Sequence, residues 1–273
     1  MIIDGHAHAC GRNLTAEGVV ETLDRSGADK VVLVPGEPGS GRTYSLPRLG
    51  EWFPSRDLIS VTNLLTKFTA SLTGMAGKLP EGNTYVSSLA RSCPERILQF
   101  YWVYPLAPDA AEEAEDRFRE WRFKGIKLHQ CWESFCVDSV EFNRIAAWAG
   151  QHDLPVFIHL CSRREVLALI EYIEEHPNVK FIIAHLFGLE SYIRSGIRSK
   201  NVYFDISPPP LISLERLHTA LEHFGPKRIV LGSDTPYGKD NLRENIERVR
   251  NLTLSEEEKQ RILGGNLQEL LKL

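Results

Sequence analysis

The chain has 273 residues, 42% of them hydrophobic and 25% charged, with 20 Gly and 15 Pro. These are globular values that exclude disorder, collagen and coiled coil, and a core of this size needs no disulfide staple. The net charge of -4 excludes a basic nucleic-acid footprint, and no apolar run is long enough to span a bilayer.

Short apolar runs then alternate with amphipathic segments. Residues 1–3 lead into His6 and His8, which share strand parity with Ile2. Residues 31–34 form the second run. From 36 to 82 the rhythm breaks, over a stretch too long for an ordinary strand-to-helix connection. It holds Gly36-Glu-Pro-Gly-Ser-Gly41, Trp52, Phe53 and an apolar piece at 58–65. The glycine spacing is not G-x-G-x-x-G, so a nucleotide loop is not indicated. The stretch reads as a flexible loop, with a lid or a homodimer contact as its functional alternatives.

A helix over 83–92 precedes the third run, 97–103. Asp109 with Glu112 reads as a capping box, followed by Ala114, Phe118 and Trp121 on one face. Run four is 125–128, and Asp138 with Glu141 is expected to cap the next helix. Run five, 155–160, leads into a third box, Ser162 with Glu165. Runs six and seven are 179–184 and 202–206. Leu214, Leu217, Leu221 and Phe224 form a helical stripe stopped by Gly225. After run eight, 229–231, come a helix carrying Leu242, Ile246 and Val249, a box at Ser255 and Glu258, and an amphipathic tail at 267–273. Eight strand–helix units predict a (β/α)8 TIM barrel, one domain over 1–273 with an insertion after strand 2. A doubly wound sheet is the competing α/β answer, but it gives no reason for histidines at several strand ends.

The five cysteines, Cys10, Cys93, Cys131, Cys136 and Cys161, contain no C-x-x-C pair. With no basic, apolar leader at the start, the expectation is a cytoplasmic protein with reduced thiols.

His6 and His8 end strand 1, His159 ends strand 5, His185 ends strand 6 and Asp234 ends strand 8. A barrel converges these ends on one face. Nitrogen donors plus one carboxylate describe a catalytic zinc-type site, and manganese or iron suits the same donors. Cys10 and Cys161 then line the mouth, since the donor set is complete without them. Lys127 and His129 share a face on strand 4. Lys127 reads as a carbamate bridge, a substrate-carboxylate contact or an ion-paired core residue. Arg12 and Arg163 lie on mouth-side loops where either would hold a substrate carboxylate. Trp102 and Tyr104 would wall the substrate, and Asp205 or Ser207 would support the ligands from outside.

His6-Ala-His8, Gly125-Ile-Lys-Leu-His129, His159, His185 and Gly232-Ser-Asp234-Thr-Pro236 together resemble the amidohydrolase superfamily. The likeness is to its amidohydrolase-2 branch, which includes aminocarboxymuconate semialdehyde decarboxylase and related hydrolases. The resemblance implies that His6, His8, His159 and Asp234 bind one divalent metal, typically zinc, and that His185 is catalytic. It implies hydrolysis of an amide, ester or lactone in a small molecule, with Asp234 as general base. The alternative is nonoxidative decarboxylation of an unsaturated or aromatic acid.

Overall fold

Eight parallel strands hydrogen-bond in sequence order. They are β1 Ile3–His8, β2 Lys30–Val34, β3 Ile97–Trp102, β4 Gly125–His129, β5 Val156–His159, β6 Phe181–Ile183, β7 Val202–Asp205 and β8 Ile229–Val230. This computed structural model describes residues 1–73 and 78–273. Backbone bonds close the seam between first and last strands. Gly5 N donates to Leu231 O at 2.9 Å, Asp234 N to His6 O at 2.7 Å and His8 N to Thr235 O at 2.8 Å. The expected TIM barrel is the fold.

Side chains alternate along a strand, so each strand feeds two cores. Val32, Val34, Phe100, Phe157, Ile182 and Val230 pack inside the barrel. Val31, Leu33, Ile126, Leu128, Val156 and Ile158 pack outward with the helices. Lys127, between Ile126 and Leu128, therefore points inward and is fully buried.

Strand 1 departs from the expected parity. Ile2 belongs to the outer layer and Ile3 to the interior. A register shift between Asp4 and Ala7 inserts the extra step. Beyond that bulge, Ala7 and Ala9 face outward, which leaves His6 and His8 pointing in. The strand runs through both histidines and ends at His8, as expected.

The helices are α1 Ala16–Ser26, α2 Leu49–Trp52, α3 Ile59–Thr73, α4 Asn83–Ser92, α5 Ala110–Trp121 and α6 Val140–Gln151. They continue as α7 Arg163–Glu175, α8 Leu189–Ser195, α9 Leu214–Phe224, α10 Asn241–Arg250, α11 Glu256–Gln260 and α12 Asn266–Leu271. Of the expected capping boxes, only that of Ser255 and Glu258 is reciprocal. Asp109 makes no side-chain cap bond. α6 is capped by Ser139, not Asp138. Ser162 accepts from Glu165 N, but the Glu165 carboxylate turns away to Gln130 and Val137 N. Two good acceptors stood side by side at 138–139, and only backbone geometry chooses between them.

The stretch read as an irregular loop carries α2 and α3. Ile59, Asn63 and Ala70 form the buried face of α3, while Val61, Leu64, Leu65, Phe68 and Leu72 are each more than half exposed. The helix thus turns its apolar stripe to solvent and an asparagine to the barrel.

Candidate metal centre

The inward residues of β1, β4 and β5 and the turn just past β6 place five imidazoles in the barrel mouth, all buried with Lys127 and Asp205. The chain just past β8 adds Asp234. His8 Nε2 lies 3.3 Å and His6 Nε2 3.7 Å from Asp234 Oδ1. Asp234 has a left-handed backbone, φ 56°, which aspartate tolerates better than most residues. Its amide bond to His6 O and the Tyr237 N bond to its own carbonyl at 2.8 Å hold that conformation.

The partners of each ring fix its tautomer. Carbonyl oxygens only accept, so His8 Nδ1 donates to Pro35 O at 2.7 Å and His185 Nδ1 to Ser207 O at 2.7 Å. Ser207 Oγ donates to Asp205 Oδ2 at 2.7 Å, and so accepts from His6 Nδ1 at 3.3 Å. Asn63 donates its amide to Leu160 O at 3.0 Å, which turns Oδ1 toward His159 Nε2, 2.6 Å away. His6, His8 and His159 thus each donate one N–H outward and keep a lone pair on the other nitrogen. That is how metal-binding imidazoles are held. The donors present therefore fit a divalent ion.

Ligand atoms gather in three groups within 4.8 Å, among the described residues: His6, His8 and Asp234; His6, His185 and Asp205; and His129, Cys131 and His159. The first contains three of the four expected ligands. His159 falls in the third, with its ring stacked on His129 at 3.9 Å between centroids.

Charge in the mouth is set by burial. Burial, then the Lys127 charge, pushes His6 down to about 3. Burial and neighbouring positive groups also push His129 and His159 well below the ordinary imidazole range. Burial works against the imidazolium of His185, but the Asp205 hydrogen bond and the Asp234 charge outweigh it and raise its pKa. Burial favours the neutral acids of Asp205 and Asp234, yet hydrogen bonds from the histidines hold both below the carboxylate range. Burial pulls Lys127 down to about 7. Its Nζ sits 3.1 Å from His6 Nε2 and 4.1 Å above the Phe157 ring.

Around this centre, Trp102 stacks on His129 at 5.6 Å and donates Nε1–H to Glu133 Oε2 at 2.9 Å. Glu133 is buried, its Oε1 has no partner, and burial raises its pKa to about 8. Asp4 takes Ser233 Oγ–H at 2.6 Å and Ser233 N at 2.9 Å. Burial lifts its carboxyl to about 7.

The structure does not bring the two arginines to the histidines. Arg12 lies 4.0 Å from Asp240, beside a surface cavity of about 170 Å³ that Arg25 and Lys239 also line. Arg163 is the exposed first residue of α7. Asn63, Asp4 and Glu133 were not legible as site residues. The one available signal was Asn63, a lone amide among the apolar residues of 58–65.

A family model described as Amidohydrolase matches residues 76–273. No curated protein matches the chain. Among solved structures, 5-carboxyvanillate decarboxylase from Sphingomonas paucimobilis is 13% identical with a TM-score of 0.67, covering 100% of this chain and 99% of that one. 4-Oxalomesaconate hydratase from Rhodopseudomonas palustris is 16% identical with a TM-score of 0.65, covering 100% and 96%. 5-Carboxyvanillate decarboxylase from Novosphingobium aromaticivorans, solved with manganese and a nitrobenzoic acid, is 16% identical with a TM-score of 0.63, covering 93% and 80%. At these identities the likeness is one of fold. Among the described residues, no helix is long and apolar enough to cross a membrane.

Proposed function

The chain is an enzyme of the amidohydrolase family, and on that premise we propose a metal-dependent, nonoxidative decarboxylase of a small unsaturated or aromatic acid. Lys127 carries this reading. It is a fully buried amine beside His6 with no carboxylate within ion-pair distance among the described residues. A buried cation without a counter-ion is costly, and a substrate carboxylate supplies one. The solved decarboxylases of the same fold agree with this reading.

His6, His8 and Asp234 would hold the ion, with His159 as fourth ligand through Nδ1. Nitrogen and oxygen donors suit zinc, our first choice, and manganese. A divalent ion held there supplies Lewis acidity to a water or a substrate oxygen. Lys127 binds and orients the carboxylate. His185, its ring held by Ser207 O and its charge favoured by Asp205, offers Nε2–H to the oxygen where negative charge grows. Asp234, ionised at rest, takes a proton from a water in the mouth and passes it to the carbon that bears the carboxylate. The C–C bond then releases CO2, its electron pair returning to the π system. Hydrolysis of an amide, ester or lactone is the second reading, favoured by the family's description. There Asp234 would pass its proton to the leaving group.

The proposal extends to a homodimer through α3. Its five stripe residues are each more than half exposed, and a run of exposed apolar side chains of this kind marks an interaction surface.

Metal content and a screen of aromatic and enoic acids, amides and lactones test the reading, with CO2 release measured beside hydrolysis. CO2 release lost in His6→Ala together with the ion is the expected result. Hydrolysis without CO2 release would move the assignment to the second reading. Unchanged metal content in His6→Ala and Asp234→Asn would remove the centre.

A further inference from the structure

Two neighbouring strand ends carry the same short pattern. β4 ends in His129-Gln-Cys131 and β5 in His159-Leu-Cys161. The strands are parallel and their register pairs His129 with His159. One backbone bond continues the pairing past β4, and the Gln130 side chain takes the next amide. Gln130 N donates to His159 O at 2.9 Å, and Cys161 N donates to Gln130 Oε1 at 3.0 Å. Cys131 and Cys161 both lie just past their strand ends, Cys131 in a turn, and the Cys161 charge is among the causes that raise the Cys131 pKa, so the two sulfurs are neighbours.

The ligand atoms of His129, Cys131 and His159 lie within 4.8 Å of one another, and Cys161 stands outside that group and would have to turn in. Cys131 is a buried free thiol, and Cys161 a half-buried one with the Lys67 ammonium against its sulfur. Gln130 ties the two loops together, since its Nε2 also donates to Phe135 O at 2.9 Å and to Glu165 Oε2 at 2.9 Å.

We propose that His129, Cys131, His159 and Cys161 form a second metal site, for a soft ion such as zinc. Two imidazoles and two thiolates are a tetrahedral zinc donor set. Sulfur donors favour zinc or copper(I) over manganese, magnesium and calcium. Binding releases the two thiol protons to solvent, so affinity rises with pH. His159 belongs to both donor sets. Its Nε2–H is committed to Asn63, so its single lone pair serves one ion at a time. Filling the thiolate site withdraws His159 from the His6–His8–Asp234 centre. Excess soft ion thereby loosens the first ion. That competition, though not the site itself, rests on the function proposed above.

Cobalt(II) titration of the full, reduced, metal-stripped chain tests the site, read by near-ultraviolet absorption and by metal content after gel filtration. The expected result is a thiolate-to-cobalt charge-transfer band that grows with a second equivalent. The Cys131→Ser, Cys161→Ser double variant loses that band and that equivalent while retaining the first. His6→Ala does the reverse. No band at saturating cobalt, or a band that survives the double variant, overturns the site. Loss of the band in a His6→Ala chain with wild-type circular dichroism overturns its independence. If the first centre is absent, His6→Ala releases no ion and the cysteine result still stands, so the two failures are distinguishable.

Discussion

Asn63 accepts the Nε2 proton of His159 at 2.6 Å and returns its own amide to Leu160 O at 3.0 Å. One residue of α3 thus sets which nitrogen of a barrel histidine is free. Asn63→Ala would leave a buried N–H unpaired, at a cost of about 1–3 kcal/mol. Outer partners of metal-bound histidines are worth about 10–100-fold in affinity, and a drop of that size is expected here. Calorimetric metal titration and urea unfolding check the two parts, and an unchanged ion affinity would detach α3 from the centre.

Lys127→Met should keep the fold and lose the substrate. Replacing an unpaired buried charge with an apolar chain of similar length is neutral or stabilising. The expected pattern is an equal or higher melting temperature with a KM raised at least about tenfold, the loss of one charge-assisted contact of ~1.5–3 kcal/mol. An unchanged KM for an acid substrate would remove Lys127 from carboxylate binding.

Gly232→Ala tests the packing behind the ligands. A Cβ at 232 would overlap Asp205 Oδ1 and come within 3.2 Å of His6 Cβ. Overpacking of this kind costs about 1–3 kcal/mol. Because Asp205 orders both His6 and His185 through Ser207, turnover should fall more than stability. Urea midpoints and kcat measured side by side would show the difference. A full-activity variant would mean that Asp205 can move freely.

Leu64→Glu with Phe68→Glu should convert a dimer to a monomer without unfolding it, since both side chains are exposed in the single chain. Light scattering after gel filtration reads the mass directly. A wild-type chain that is monomeric at high concentration removes the dimer.

Glu258 offers a pH test away from the metal. Its Oε2 accepts from Ser255 N at 2.9 Å while Ser255 Oγ accepts from Glu258 N at 3.3 Å. Bonds to the Ser255 backbone, then to its hydroxyl, hold the carboxyl below its ordinary value. A lowered acid pKa stabilises the fold above the unfolded pKa, and that contribution fades as pH falls through the folded value. Glu258→Gln should therefore destabilise at neutral pH and converge with wild type in acid. A pH-independent gap in urea midpoints would show that the charge plays no part.

The barrel was legible because eight apolar runs and their intervening stripes repeat on a length scale that pattern reading handles. The strand-end histidines were legible for the same reason, since a strand end is where a barrel opens. The bulge in β1 was not, because a one-residue register shift leaves no mark on composition. It reversed the parity assigned to Ile2 while leaving His6 and His8 on one face. α3 escaped notice because its exposed face is the apolar one, the inverse of the rule by which helices are recognised. Asn63 escaped with it, and so did the partition of His159 toward His129 and Cys131, which is a matter of ångströms within a shared face.

Asp4 and Ser233 join the first strand to the last across 229 residues. The donors divide in the same way, with His6 and His8 at one side of that seam and Asp234 at the other. A chain emerging from the ribosome presents its two imidazoles long before their carboxylate exists. The His6–His8–Asp234 triad is therefore assembled only in a closed barrel, and an ion bound there would be held only by a chain that has finished folding.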